Sequence, residues 1–219
     1  MTGTDPSFAI ETCTGAALEA ALPALARLRV AVFREWPYLY DGDIAEEADH
    51  LRKRLAIPGQ AVILARITDS EIRGEIVGAA TCSRLTTESD SVRAPFTAIG
   101  MDTSGICYFG ESVLLARYRG QGIGVAFFAA REAHARALGC TAATFCAVRR
   151  PDDHPLRPAN AVKLDEFWTH RGYARLPGVV ALMRWKDIGG ESPVTHEMDF
   201  WWRDLRSSAP DRLKQGGQG

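Results

Sequence analysis

Glu111-Ser-Val-Leu-Leu-Ala-Arg-Tyr-Arg-Gly-Gln-Gly-Ile-Gly124 is an apolar run that breaks into a glycine loop and then opens onto a stretch rich in Ala and Phe. The order is strand, glycine loop, helix. Free backbone N–H groups in the first turn of a helix, in a loop where glycine lets the main chain come close, form a nest for phosphate oxygens, and the helix dipole adds to the attraction. Arg119-Gly-Gln-Gly-Ile-Gly124 therefore reads as a diphosphate site. Glycines alone would also serve a tight turn and close helix packing; their place directly after a strand and directly before a helix favours the ligand. The loop lacks the Lys-Ser/Thr pair of a nucleotide-triphosphate loop, which disfavours Mg-ATP, and its spacing fails the GxGxxG dinucleotide pattern.

Working outward, the helix after the loop ends at Leu138-Gly139, and Thr141 to Val148 reads as a further strand. Arg149 to Pro158 is a Pro-rich loop, Ala159 to Arg171 a helix stopped at Gly172, and Val179 to Trp185 a final strand. Upstream, Phe8 to Thr12 alternates as a short strand. Thr14 then caps a helix that runs, with a break expected at Pro23, to about Glu35 and is stopped by Trp36-Pro37. Asp41-Gly-Asp43 turns the chain into a second helix, about Ile44 to Ala56. Gln60 to Ile67 and Glu75 to Leu85 are β-rich runs joined by a polar turn, hence antiparallel neighbours. Thr86 to Gly105 mixes polar, Pro and Gly residues and is read as a solvated insertion.

Bulk properties narrow the classes of function. A chain of 219 residues with 46% hydrophobic and 24% charged residues suits one globular domain. Twenty-six Lys and Arg against 27 Asp and Glu leave a charge of −1, with no surplus to hold nucleic acid. No apolar run reaches membrane-spanning length and the N-terminus has no signal-like pattern, so a cytoplasmic protein with no membrane partner is expected. The five cysteines are scattered and the five histidines dispersed, so neither a disulfide frame nor a metal site is expected. We assign residues 1–190 to one domain. Residues 191–219 are assigned to a tail whose Phe200-Trp201-Trp202 packs back and whose last residues are flexible.

Two phrases in the chain resemble a known family. Ser112 to Gly124 is similar to motif A of the GNAT superfamily of N-acetyltransferases, with Arg119, Gly122 and Gly124 filling its Arg/Gln, Gly and Gly/Ala positions. Phe167-Trp-Thr-His-Arg-Gly-Tyr173 resembles a second phrase of the family, and the order of elements agrees over about residues 8 to 187. The resemblance implies an α/β (α+β) fold in which helices flank a central mixed sheet. That sheet splays between Tyr108 to Leu115 and Thr141 to Val148, with the pantetheine of acetyl-coenzyme A in the gap. It also implies an acyltransferase that moves an acetyl group to a primary amine of a small molecule. A non-catalytic acyl-coenzyme A binding or sensing module of the same fold stays open, and so does a homodimer.

The residues give that expectation its parts. Unpaired backbone on the strand through Val113, Leu114 and Leu115 can hydrogen-bond pantetheine amides and polarise the thioester. Gly120, Gln121, Gly122, Ile123 and Gly124 hold the diphosphate with Arg119. An amine must lose a proton to attack, and Glu111, a charge in an otherwise apolar run, is the candidate acceptor, with a structural salt bridge as its alternative. Trp168 stands where many relatives carry a proton-donating tyrosine; indole cannot donate in that way, although a coenzyme A thiolate leaves well unassisted. Trp36 and Tyr38, between the first two helices, are candidates for the acceptor wall together with Trp168. The loop Cys146 to Arg157, with three arginines, is either a carboxylate reader for the acceptor or a solvated polar loop.

Overall fold

Ala61-Val-Ile-Leu-Ala-Arg-Ile67 is apolar at nearly every position, the pattern of a strand covered on both faces. In a computed structural model, which describes residues 7–14, 17–55, 57–68 and 71–206, this run is strand β2 (Ala61–Ile67). Ala61, Ile63, Ala65 and Ile67 enter one buried cluster, and Val62 and Leu64 enter another on the opposite face. The first cluster lies under helix α4 (Ile123–Ala137), the second under α1 (Ala17–Phe33) and α2 (Ile44–Leu55). α1 continues through Pro23 without the expected break. Its buried Leu22, Leu25, Ala26 and Leu28 offset the hydrogen bond and ring clash that proline costs. Asp43 starts α2 by accepting from the Ala45 and Glu46 amides at 2.8 and 3.1 Å.

β1 (Phe8–Cys13) and β3 (Ile76–Arg84) flank β2, both antiparallel. Beyond β3 come β4 (Ile106–Tyr108), β6 (Ala142–Val148), β8 (Val194–Asp204) and β7 (Ala174–Trp185), while β5 (Ser112–Leu114) pairs only with β3. The strand expected over Tyr108 to Leu115 is therefore split between two, parted at Phe109-Gly-Glu111.

Three further expectations are corrected. The segment read as a solvated insertion contains α3 (Asp90–Ala98), whose Val92 and Phe96, four apart, are buried together. The helix expected over 159–171 is only α5 (Asp165–Thr169). Val162 and Leu164 before it are exposed, so the earlier residues have no apolar face to bury, whereas Phe167 and Trp168 pack on the core. The stretch set apart as a tail includes β8, an integral strand between β6 and β7. Successive side chains of β8 alternate: Phe200 joins the cluster with Phe96, and Trp201 the one with Phe145. Residues 207–219, the expected flexible end, lie outside the described residues.

Candidate functional site

The break at Phe109-Gly-Glu111 has a cause in Thr81 of β3. The Gly110 N–H donates to the Thr81 carbonyl (3.1 Å), the Thr81 N–H donates to the Glu111 carbonyl (2.9 Å), and the Thr81 hydroxyl accepts from the Glu111 N–H (3.0 Å). Two residues thus oppose one, a β-bulge, and the register of β3 with β5 is one residue out from that with β4. A Cβ on Gly110 would stand 2.8 Å from the Thr81 hydroxyl oxygen, so only glycine fits. From below, Arg131 of α4 holds the bulge: it is 2% exposed, lies over the Phe109 and Phe128 rings and donates to the Phe127 carbonyl.

The bulge turns β5 away from β6. Tyr108 still pairs with Thr144, and the Phe109 N–H donates to the Thr144 carbonyl at 2.8 Å. Past that point no backbone hydrogen bond among the described residues joins 112–115 to 145–148. The two strands part there, and the chain leaving β5 runs through the glycine loop into α4.

Alternation along β5 decides which backbone groups face the gap. The Glu111 carbonyl and the Leu115 N–H are bonded to Thr81 and Val77 of β3, so the groups of Val113, between them, also turn to β3. Ser112 and Leu114 turn theirs to the gap. Of the three residues expected to present free backbone, Val113 and Leu115 are committed to the sheet, and Leu114 turns to the gap with its carbonyl accepting from Arg119.

The glycine loop has the geometry of a nest. Gly120 and Gly122 have φ of 79° and 86°, the left-handed region, and Gly122 is the N-cap of α4. No amide from Gly120 to Val125 has a backbone acceptor among the described residues. A Cβ on Gly122 would meet nothing within 4 Å, so the nest is open. A Cβ on Gly124 would stand 3.3 Å from the Phe167 ring, so this glycine lets α5 approach. Ile123 is fully buried, and its side chain serves the core. The Gln121 side chain donates back to the Arg117 carbonyl (3.2 Å). Arg119 donates to the Leu114 carbonyl (3.2 and 3.1 Å) and pairs with Glu35 (2.5 Å), which places its guanidinium at the mouth of the gap. Arg117 instead reaches Glu75.

Glu111 faces α1, not open solvent: its carboxylate pairs with Arg29, which also holds Glu47. The Tyr40 hydroxyl donates to Glu47 at 2.8 Å. Nearby, Arg54 of α2 forks Glu88 at 2.9 and 3.1 Å. Glu47 and Glu88, which are buried, and Glu111, which is partly buried, therefore each have a guanidinium partner. Arg29 could have been noticed in the sequence as a charge four residues from Leu25 on the apolar face of α1.

The tyrosines and thiols near the gap are packed. Tyr108 and Cys146 meet at 3.1 Å, and burial pushes the phenol far above its usual range and the thiol up to about 12, so both stay protonated. Tyr118 is buried under α4. Tyr38 packs on Phe33 (4.8 Å) and Trp185 (6.0 Å), with burial raising its hydroxyl above the ordinary range; its ring supports the wall from inside. Trp36 lies 5.3 Å from the His154 ring and faces the β6–α5 loop. Trp168 packs against Phe145 (5.1 Å) and Trp201 (4.9 Å). The arginines of the β6–α5 loop are spent within the protein: Arg149 on Glu197 and Asp199, Arg150 on Asp187, and Arg157 on Asp152. Of these, Arg150 is turned inward, while Arg149 stays half exposed. Among the described residues no helix is long and apolar enough to cross a membrane.

Residues 26–159 match the model of the acetyltransferase (GNAT) family. The fold is similar to that of yncA from Salmonella typhimurium, solved with its cofactor acetyl-CoA. Identity is 14% and the TM-score 0.55, with 94% of this chain and 99% of that chain covered. A ribosomal-protein-alanine N-acetyltransferase from Brucella melitensis has 16% identity and a TM-score of 0.55 over 90% and 99% of the two chains. An aminoglycoside 6'-N-acetyltransferase complexed with coenzyme A has 13% identity and a TM-score of 0.53 over 92% and 99%. At such identities the likeness is one of fold. Comparison with curated proteins finds no match.

Proposed function

Since the chain belongs to the acetyltransferase (GNAT) family, we propose that it moves an acetyl group from acetyl-coenzyme A to a primary amine of a small molecule by direct attack. The observation that carries this reading is the gap between β5 and β6, which leads onto the open amide nest of α4. Acetyl-coenzyme A supplies the acetyl group as a thioester. The amides of Gly120 to Gly124, with Arg119, take the diphosphate. The Leu114 backbone takes a pantetheine amide once Arg119 releases its carbonyl, and the N–H groups of Ser112 and Leu114 are those free to polarise the thioester.

No protein base is assigned, because the carboxylates near the bulge are all paired. The amine proton passes to water, and the amine reacts as its free base. The wall at Trp36 receives the acceptor, and the absence of a free arginine in the β6–α5 loop favours amines without a required carboxylate. The test is a panel of spermidine, tyramine, histamine and glycine ethyl ester beside glycine and glutamate, following free thiol. Faster thiol release with at least one non-carboxylate amine is expected. Binding of acetyl-coenzyme A without acceleration by any amine would instead make the chain a binding or sensing module.

The Trp168 indole N–H is too weak an acid to protonate a thiolate and the ring lies among aromatic rings, so Trp168→Phe should keep turnover within about threefold of wild type and cost roughly 1 kcal/mol of stability. Stopped assays with any active amine, beside thermal unfolding, check this. A collapse in turnover with intact folding and cofactor binding would give the indole a role in positioning.

A further inference from the structure

Arg150 is more fully bonded than any surface role requires. Its side chain is 7% exposed. Its Nε donates to the Pro37 carbonyl at 2.9 Å and its Nη2 to the Tyr38 carbonyl at 2.7 Å. Both Nη atoms fork Asp187, at 3.0 and 2.9 Å. Three segments distant in sequence meet at this guanidinium: the α1–α2 loop, the end of β6 and the β7–β8 turn. Backbone contacts follow the same seam, with the Asp41 N–H donating to the Lys186 carbonyl (2.9 Å), the Ile188 N–H donating to the Leu39 carbonyl (2.8 Å), and a bridge between Tyr40 and Asp187. The Trp185 indole N–H also donates to the Tyr38 carbonyl (3.1 Å).

The clamped loop holds an unfavourable backbone shape. Leu39 has φ of 54°, and it is the only residue other than glycine with positive φ among the described residues. A leucine resists that region, so the shape persists only where surrounding contacts impose it. The Leu39 side chain is buried and its N–H and carbonyl are both bonded. Trp36 projects from the same loop toward His154, so the clamp also fixes where the indole stands.

We propose that Arg150 is a positioning residue for the acceptor: it holds the Glu35 to Asp41 loop against the β7–β8 turn and so fixes the Trp36 wall, and it does not read an acceptor carboxylate. Planarity is what suits arginine here, since the guanidinium satisfies a carboxylate on one edge and two carbonyls on others at once. Lysine keeps the charge but cannot bond all three. Burial alone would raise the Asp187 carboxyl, yet the hydrogen bonds and charge of Arg150 hold it below the usual carboxylate range, so the pair stays ionised at neutral pH.

The inference rests on the acceptor entering beside Trp36, and two measurements separate the failure of each idea. The first is hydrogen exchange at the Asp41 and Ile188 amides in wild type, Arg150→Lys and Asp187→Asn, the last retained because it keeps the shape of its side chain if the lysine variant folds poorly. Exchange should quicken by about tenfold or more in both variants, since the seam opens locally. The second is steady-state kinetics with spermidine, tyramine, histamine, glycine and glutamate taken separately. The acceptor KM should rise about tenfold with kcat within about threefold, while the Kd of coenzyme A stays within about twofold. Unchanged exchange overturns the clamp whether or not any amine is turned over. Faster exchange with an unchanged acceptor KM places the wall elsewhere and overturns the positioning role, as does a KM that rises only for glycine and glutamate. If wild type turns over none of the amines, the proposed function fails, and the clamp is still judged by exchange.

Discussion

Gly122→Val lowers the affinity for acetyl-coenzyme A by about 100-fold or more, measured by calorimetry on folded protein. Gly122 has φ of 86°, where a β-branched residue is strained by about 1–3 kcal/mol, and relief of that strain rotates the amides of the nest out of line. The added side chain meets no protein atom, because an ideal Cβ there has nothing within 4 Å, and it stands at the N-cap beside the first-turn amides. Each 1.4 kcal/mol is about tenfold in Kd, so strain and lost approach together reach two decades. Gly100 supplies the control, with φ of 73° and nothing within 4 Å of its Cβ, on the turn after α3. Gly100→Val should lower the melting temperature to a similar degree and leave coenzyme A binding unchanged. If Gly122→Val folds and binds as tightly as wild type, the diphosphate does not sit on this loop.

What the sequence made legible was what it encodes locally. The nest is written in consecutive residues, because glycine at 120 and 122 is required by positive φ and their place before Ile123 marks a helix start. The Asp41-Gly-Asp43 turn that leads into α2, and the β-rich run that forms β2, are local in the same sense. The acceptor wall is not. Arg150 and Asp187 are 37 residues apart and Pro37 is 113 from Arg150, so nothing in either neighbourhood announces the clamp, and Arg150 in isolation read as one of three loop arginines. β8 was hidden for a related reason. Thr195, His196, Glu197, Asp199 and Arg203 dilute its apolar pattern, yet the buried Asp199 is matched by the half-exposed Arg149 and Arg175, and the buried Arg203 by Glu132. The bulge stood between the two cases. Gly110 was visible, but Thr81, which makes two residues face one, lies 29 positions earlier.

Glu111→Gln separates a base from a buried ion pair, and the geometry favours the pair. The carboxylate is 16% exposed, lines a small cavity of about 10 Å³, roughly one water, and meets Arg29. To accept the amine's proton it would have to give up its charge beside that guanidinium. In the glutamine variant Arg29 keeps Glu47 but loses half of its counter-charge. The cost should fall at or just below the 3–5 kcal/mol of a broken buried pair, about 3 kcal/mol, which for a chain of this size lowers the melting temperature by roughly 6–12 °C. Turnover should stay within about threefold of wild type. Because the free amine is the reacting form, both proteins should gain about tenfold in rate per pH unit below the acceptor's own pKa, and their two profiles should run parallel. A general base would give a different pattern. The variant would then lose roughly 10²- to 10⁴-fold near pH 7, keep its melting temperature, and recover as the pH approaches the acceptor's pKa. Rate against pH for both proteins, set beside thermal unfolding, distinguishes the two outcomes, and a deficit that closes with rising pH would return Glu111 to the chemistry.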